Sequence, residues 1–309
     1  PADGSITVAK LAAGTLKTPG NNNIAIGTAA LDDASLSGPW NVSIGINSLT
    51  ENEAGEYNVA VGNNTMAAST GADYNATLGY GGLYTLSTGQ YNVAVGHQSM
   101  WNADTSNYST VIGGVAGYDL TTGNENTLIG YASGYNLDVG SYNVAVGVQS
   151  LYTAAGSNVI KNCIIGPWSG YNITTGQRNS TLGYVAGYEI TTGSNNLCLG
   201  DNSGRNLSPS GIVSTASNII CLGDNNIASL YCADTSISSS DERDKAEITD
   251  FTHGLSWVKK MRPVTYKWDK RSWYIKEDDE QQDITKVTRD GSKKKSKVHI
   301  GLIAQEVLE

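Results

Sequence analysis

Residues 91–100 read YNVAVGHQSM, and the NVAVG inside them recurs unchanged at 58–62 and 143–147. Looser versions stand at 23–27 (NIAIG), 41–45 (NVSIG) and 75–79 (NATLG). The closing glycines are Gly27, Gly45, Gly62, Gly79, Gly96, Gly113, Gly130, Gly147, Gly166, Gly183, Gly200 and Gly223, separated by 18, 17, 17, 17, 17, 17, 17, 19, 17, 17 and 23 residues. A near-constant period of this length marks a solenoid, because one such coil cannot bury its own apolar face and must stack on its neighbours. Within a coil the residues three and one before the glycine are mostly β-branched or Leu, as in Val93 and Val95, and the residue between them is often small, as in Ala60, Ala94 and Ala145. Alternation with period two marks a short strand with two unlike faces. A second short segment follows the glycine (INSL, NNTM, HQSM or VQSL), then a turn such as TTGNEN, where Gly and Asn tolerate positive φ. The expectation is twelve coils, each of two short strands and two turns, stacked ~4.8 Å apart into a rod on the order of 55 Å long. The small middle residues are expected to face another copy of the chain, and so thin a coil is most easily stabilised as a homotrimer around a central axis.

Composition divides the chain. It has 309 residues with 36 Gly, 17 Tyr and one Phe. Residues 1–239 carry 5 Lys+Arg against 15 Asp+Glu, whereas residues 240–309 carry 15 against 14. The expected organisation is an N-terminal linker over 1–20, the repeat domain over 21–230, a linker over 231–240 and a small α+β domain over 241–309. An acidic, charge-poor repeat argues against nucleic acid, since phosphate contacts need clustered Lys and Arg. No apolar run reaches the ~18 residues of a membrane span, so no membrane insertion is expected. Scattered acids such as Asp138 and Glu189 do not recur as facing pairs, and neither a metal site nor a cofactor is expected. Cys163, Cys198, Cys221 and Cys232 lack zinc-site spacing and read as reduced thiols, the first three as small apolar residues within strands. That fits assembly in a cytoplasm.

Side chains that recur once per coil form ladders. Asn23, Asn41, Asn58, Asn75, Asn92, Asn126, Asn143, Asn162, Asn179 and Asn196 make one, expected to hold the turns in register through amide hydrogen bonds. Two ladders are aromatic. Five residues before the glycine stand Trp40, Tyr57, Tyr74, Tyr91, Tyr108 and, after a break at Glu125, Tyr142. Five after it stand Tyr84, Trp101, Tyr118, Tyr135, Tyr152, Tyr171 and Tyr188. Repetition alone produces such ladders, so rings that shield and stiffen the turns are the first reading; a sugar-binding strip is the alternative.

The repeated NVAVGxxSL with TTG-type turns resembles the head domains of trimeric autotransporter adhesins and the repeat of bacteriophage tail fibres, over about residues 21–223. The resemblance implies a left-handed parallel β-roll, three chains wide. ADGSITVAKLAAGTL at 2–16 is similar to the linker phrase that precedes domains in phage fibres.

Beyond Gly223 the composition changes. GLSWVKKMR at 254–262 reads as an amphipathic helix ended by Pro263, VTYKW at 264–268 as a strand, and 286–304 as a hairpin around Asp290-Gly291 whose Lys293–Lys297 run is solvated. Another helix is expected to begin at Gln305. SDERDK at 240–245, RPVTYKW at 262–268 and HIGLIAQEV at 299–307 are together similar to the C-terminal intramolecular chaperone, an auto-processing peptidase domain, of phage tail fibres and endosialidase tailspikes. In that family a Ser-Asp-x-Arg-x-Lys motif marks self-cleavage just before its serine. The resemblance implies a cut between Ser239 and Ser240, with Ser240 as nucleophile, Lys245 as its base, and Asp241 and Arg243 in the other fixed positions. A serine needs a base, and a lysine serves only where burial keeps it neutral. The family domain continues past such a phrase with a long helical tail, so the chaperone is expected to be incomplete within these residues.

The resulting expectation is the distal part of a virion tail fibre: a homotrimer assembled in the host cytoplasm that binds a bacterial surface receptor, a glycan or an outer-membrane protein. No activity on an external substrate is expected, and the resemblance implies only the chain's own Ser–Lys cleavage. Receptor contacts are expected at the end exposed by the cut, near Asn225, Asn226 and Tyr231, with the ladder from Tyr84 through Trp101, Tyr118, Tyr135 and Tyr152 as the alternative. A cell-anchored adhesin head and a polysaccharide-degrading tailspike are the rival classes.

Overall fold

The computed structural model describes residues 16–17, 21–154, 156, 158–230, 263–274, 287–296 and 298–301. The chain divides into two units, Pro1–Asp224 and Asn225–Glu309.

The first unit is a parallel β-solenoid. Its twelve three-residue strands are β2 (Ile24–Ile26), β3 (Val42–Ile44), β4 (Val59–Val61), β5 (Ala76–Leu78), β6 (Val93–Val95), β7 (Thr110–Ile112), β8 (Thr127–Ile129), β9 (Val144–Val146), β10 (Cys163–Ile165), β11 (Ser180–Leu182), β12 (Leu197–Leu199) and β13 (Ile220–Leu222). They form one sheet in sequence order, and β1 (Leu16–Lys17) adds antiparallel to β2 at its first edge. The register is one coil per step, so that Val93, Ala94 and Val95 pair with Thr110, Val111 and Ile112.

Each coil contains one strand, not two. The segment after the glycine is a turn in which the residues two and four beyond it are left-handed, as at Gln98 (φ 53°) and Met100 (φ 52°). That alternation bends the backbone where a strand would need it extended, so INSL, NNTM and HQSM are turns, joined from coil to coil by bonds such as Gln98 N–H to the Tyr80 carbonyl (2.7 Å) and Met100 N–H to the Ala116 carbonyl (3.0 Å). The closing glycines from Gly27 to Gly183 hold φ between 130° and 143°, a region essentially reserved for glycine. They also stack closely: a Cβ on Gly183 would lie 2.6 Å from the Gly200 carbonyl oxygen.

The middle strand residues point inward. Ala60, Ala94 and Ala145 are fully buried inside their own coil, while Val59, Leu78, Ile112, Leu182 and Leu199 beside them are exposed. The expectation that the small residues face another copy is therefore reversed. They are small because the residue four past the glycine occupies the same cross-section. Where the middle residue is Ala25, Ser43, Ala60, Ala94 or Ala145, that position holds Leu31, Leu49, Met66, Met100 or Leu151; where it is Val111, Leu128, Ile164, Thr181 or Cys198, it holds Gly117, Gly134, Gly170, Gly187 or Gly204. A Cβ on Gly134 would come within 2.9 Å of Leu128 Cδ1. Thr77 is the exception, paired with Leu83, and there the glycine falls one residue earlier: a Cβ on Gly82 would meet Thr77 Oγ1. Large and small residues thereby offset each other within a coil, as a close-packed interior demands.

The Asn ladder closes the inner polar groups. Asn92 Nδ2 donates to the Ser106 carbonyl (2.7 Å) and to Asn75 Oδ1 (3.0 Å), while its own Oδ1 accepts the Ser109 N–H (3.1 Å). Ser109 takes the place of an Asn in its coil, its Oγ accepting the Asn126 N–H at 3.2 Å.

In the second unit, β14 (Val264–Lys267) pairs antiparallel with β15 (Val298–Gly301), Tyr266 opposite His299. VTYK is a strand as its alternation predicts, and a turn at Asp290-Gly291 is present, with Asp290 Oδ1 accepting the Ser292 N–H at 2.8 Å. The hairpin is not: Val298–Gly301 pairs with Val264–Lys267, and residues 287–290 form no strand. Left-handed Gly291 (φ 82°) and the Lys293 N–H bonded to Tyr274 Oη (3.0 Å) tie that turn to the 3₁₀ helix Arg271–Tyr274 instead. Lys293, Lys294 and Lys295 are exposed. The GLSWVKKMR segment and the helix expected from Gln305 lie outside the described residues.

Candidate functional site

Three groups of residues were singled out by the sequence, and the fold treats them differently. The ladder five past the glycine is assembled as expected. Tyr84, Trp101, Tyr118, Tyr135 and Tyr152 stack in order with centroids 4.4, 6.4, 5.1 and 5.3 Å apart, and Tyr171 and Tyr188 continue it at 5.0 and 5.1 Å. Arg205 holds the same position in the next coil and ends the row, its guanidinium carbon 5.2 Å from the Tyr188 centroid and its Nε 3.9 Å from Glu189 Oε1. Adjacent ring planes differ by only 4° to 18°. Each ring face inside the row therefore lies against another ring, and edges are what the half-buried row presents. Burial pushes the phenols of Tyr135 and Tyr171 above their usual range, with the Asp119 carboxylate adding to the effect at Tyr135. Both stay neutral at ordinary pH.

The second aromatic row, at the bend before each strand, is more open. Trp40, Tyr57, Tyr74, Tyr91 and Tyr108 stack 4.7 to 5.2 Å apart, each in the left-handed region near φ 57°. Tyr side chains are rarely found there; Glu125, Lys161, Arg178 and Asn195 hold the same φ in later coils, each with its N–H bonded to the coil before, so the backbone stacking fixes this bend whatever the side chain.

At the proposed tip, Asn225 and Asn226 form a turn directly after Asp224, Asn225 half-buried and Asn226 exposed. Tyr231, Ser239, Ser240, Asp241, Arg243 and Lys245 lie outside the described residues.

Beside the bend, the outward side of the sheet is a continuous apolar surface. Ile24, Ile26, Val59, Leu78, Ile112, Ile165, Leu182, Leu197, Leu199, Ile220 and Leu222 are all exposed, Leu78 at 54% and Ile220 at 71%. A surface that repeats along a whole solenoid is far more than the isolated exposed Leu of an ordinary protein. Sequence reasoning had the residues but assigned them to the wrong side; the large size of their partners four past the glycine was the available signal.

Of the cysteines, Cys198 and Cys221 are buried and Cys163 is exposed on this apolar face, not packed inside; all three are free thiols. Cys163 stands at the first strand position, which points outward. Burial, with a smaller contribution from Cys221, pushes the Cys198 thiol up to about 12. Cys232 lies outside the described residues.

The family described as chaperone of endosialidase matches residues 240–309, the segment that opens with SDERDK. No curated protein and no solved structure matches the chain. A parallel β-solenoid of ~17-residue coils followed by such a segment fits a tail-fibre-like or endosialidase-like protein with a C-terminal chaperone.

Proposed function

We propose that the chain is the distal part of a phage tail fibre, a homotrimer that attaches to a bacterial surface receptor and is folded by a C-terminal chaperone that then cuts itself away. The carrying observation is the junction of an apolar-faced solenoid with a chaperone-of-endosialidase segment. A row of exposed Val, Ile and Leu along the sheet requires cover, and three copies packed face to face about one axis supply it in a closed arrangement that leaves no such face for a fourth. The resemblance to adhesin heads likewise implies a roll three chains wide. Parallel stacking is non-local and prone to slip by one coil, so a removable template that sets the register is of direct use.

Attachment is placed at the end that cleavage between Ser239 and Ser240 would expose, with Asn225, Asn226 and Tyr231 as contacts. The stacked ladder from Tyr84 to Tyr152 supports the shielding reading, because its ring faces are occupied by neighbouring rings. Particle assembly in the host cytoplasm agrees with free thiols at Cys163, Cys198 and Cys221. The test is adsorption of the purified protein to envelopes from a panel of bacteria. Binding that is lost on Asn225→Ala with Asn226→Ala, and retained on Trp101→Ala, supports the tip; the reverse pattern assigns attachment to the ladder. Release of oligosaccharides from those envelopes would replace the adhesive reading with a depolymerising one.

A further inference from the structure

The aromatic row at the bend is interrupted once, at Glu125. Coil register is unbroken there: the Glu125 N–H donates to the Asn107 carbonyl (2.9 Å) and the Tyr142 N–H to the Asn124 carbonyl (3.0 Å), as the Tyr108 N–H does to Gln90 (3.0 Å) one coil earlier. Tyr108, Glu125 and Tyr142 share φ values of 56°, 57° and 62°. The three side chains therefore leave the backbone in the same direction on successive coils. One face of Tyr108 is stacked on Tyr91 at 5.2 Å, and its other face is turned to the Glu125 level. Tyr142 has no stacked ring partner among the described residues. Both tyrosines are open, at 61% and 51% exposure. Glu125 is exposed, and its carboxylate makes no hydrogen bond or ion pair among the described residues.

Two coil steps separate the tyrosine rings, about 10 Å at the ordinary strand spacing. That is too wide for the rings to stack on one another and too narrow to leave each independent of what lies between. The Glu125 side chain enters that gap from the backbone side, so a compact cation seated on the outer side of its carboxylate, between the two rings, would stand about 5–6 Å from each ring centre, within the ~6 Å reach of cation–π attraction. The next basic residue along the row, Lys161, stands on the far side of Tyr142 and forms no ion pair with Glu125. We propose that Tyr108, Glu125 and Tyr142 form a slot for an organic cation of the alkylammonium class, on the side of the solenoid and separate from the tip. The proposal does not depend on the adhesive reading, since it is measured on the purified protein without any cell.

Choline and its neutral isostere 3,3-dimethylbutan-1-ol are the probes, followed by saturation transfer from the protein to their methyl protons and by titration. The wild type is expected to bind choline at least tenfold more tightly than the alcohol. Glu125→Tyr, which places in this coil the residue type its neighbours carry at the same φ, is expected to close the slot and abolish choline binding. Glu125→Gln keeps the slot open and is expected to weaken choline about two- to fivefold, the size of an exposed charge contact; it carries the test if the tyrosine variant fails to fold. Absence of choline binding in the wild type, equal binding of choline and the alcohol, or unchanged choline binding in both Glu125 variants overturns the proposal.

Discussion

A single methyl group is enough to test the glycine row. Gly183 stands at φ 141° with the Gly200 carbonyl 2.6 Å from where a Cβ would be. Gly183→Ala therefore adds backbone strain and a contact with unyielding main chain, and should lower unfolding free energy by at least about 2 kcal/mol in urea titration. The buried thiol of Cys198 gives a second residue-scale expectation. Its folded pKa of about 12 lies above the ordinary value of 9.0, so the folded protein holds a proton that the unfolded chain has released between those limits. Stability from the neutral thiol is complete below pH 9 and is lost as pH rises toward 12. Urea midpoints measured at pH 8 and pH 10.5 should fall more in the wild type than in Cys198→Ala.

At the scale of one coil, strand and turn compensate each other in volume. Leu128→Ala should cost about 2–5 kcal/mol by opening a cavity where Gly134 offers no side chain. Gly134→Leu alone should cost about 1–3 kcal/mol, because its side chain would be forced against Leu128. Together they recreate the Ala94 and Met100 arrangement of an earlier coil, where a large left-handed residue faces a small strand residue. The double variant should therefore recover more than half of the summed loss, a coupling of about 2 kcal/mol or more. Strict additivity of the two changes would refute the compensation.

For the whole molecule, the proposed three-fold packing of the apolar face predicts a sharp distinction among the thiols. Cys163 lies on that face and Cys198 and Cys221 lie inside the coil. Light scattering should give three times the mass of one chain, with all three thiols resistant to alkylation. Leu78→Glu, which puts a charge on the shared face, should weaken assembly and expose Cys163 to the reagent while Cys198 and Cys221 stay protected until the coil unfolds. A folded wild-type monomer with reactive Cys163 would refute the trimer. Cleavage is a separate property: Ser240→Ala should leave an uncut chain that still assembles, and Lys245→Arg should do the same because arginine stays protonated. Undiminished cutting of Ser240→Ala on a denaturing gel would remove the serine from its role.

The repeat of NVAVG was sufficient to determine the number of coils, their parallel stacking and the amide ladder, because glycine at φ near 135° and a buried Asn have few substitutes at those positions. SDERDK with HIGLIAQEV likewise announced the chaperone-of-endosialidase match over 240–309. Which side of each strand turns inward is not given by the alternation, since period two separates Val93 and Val95 from Ala94 without saying which face water sees. That depended on the backbone beyond the glycine. Its left-handed residues carry Met100 or Leu151 across the coil to fill the space beside a small residue, and leave the larger Val and Ile side chains outside. The fate of the aromatic rows was decided in the same way. Their composition admits sugar binding or shielding, and the sequence marks the break at Glu125, but only the ~5 Å stacking from coil to coil showed which ring faces are occupied.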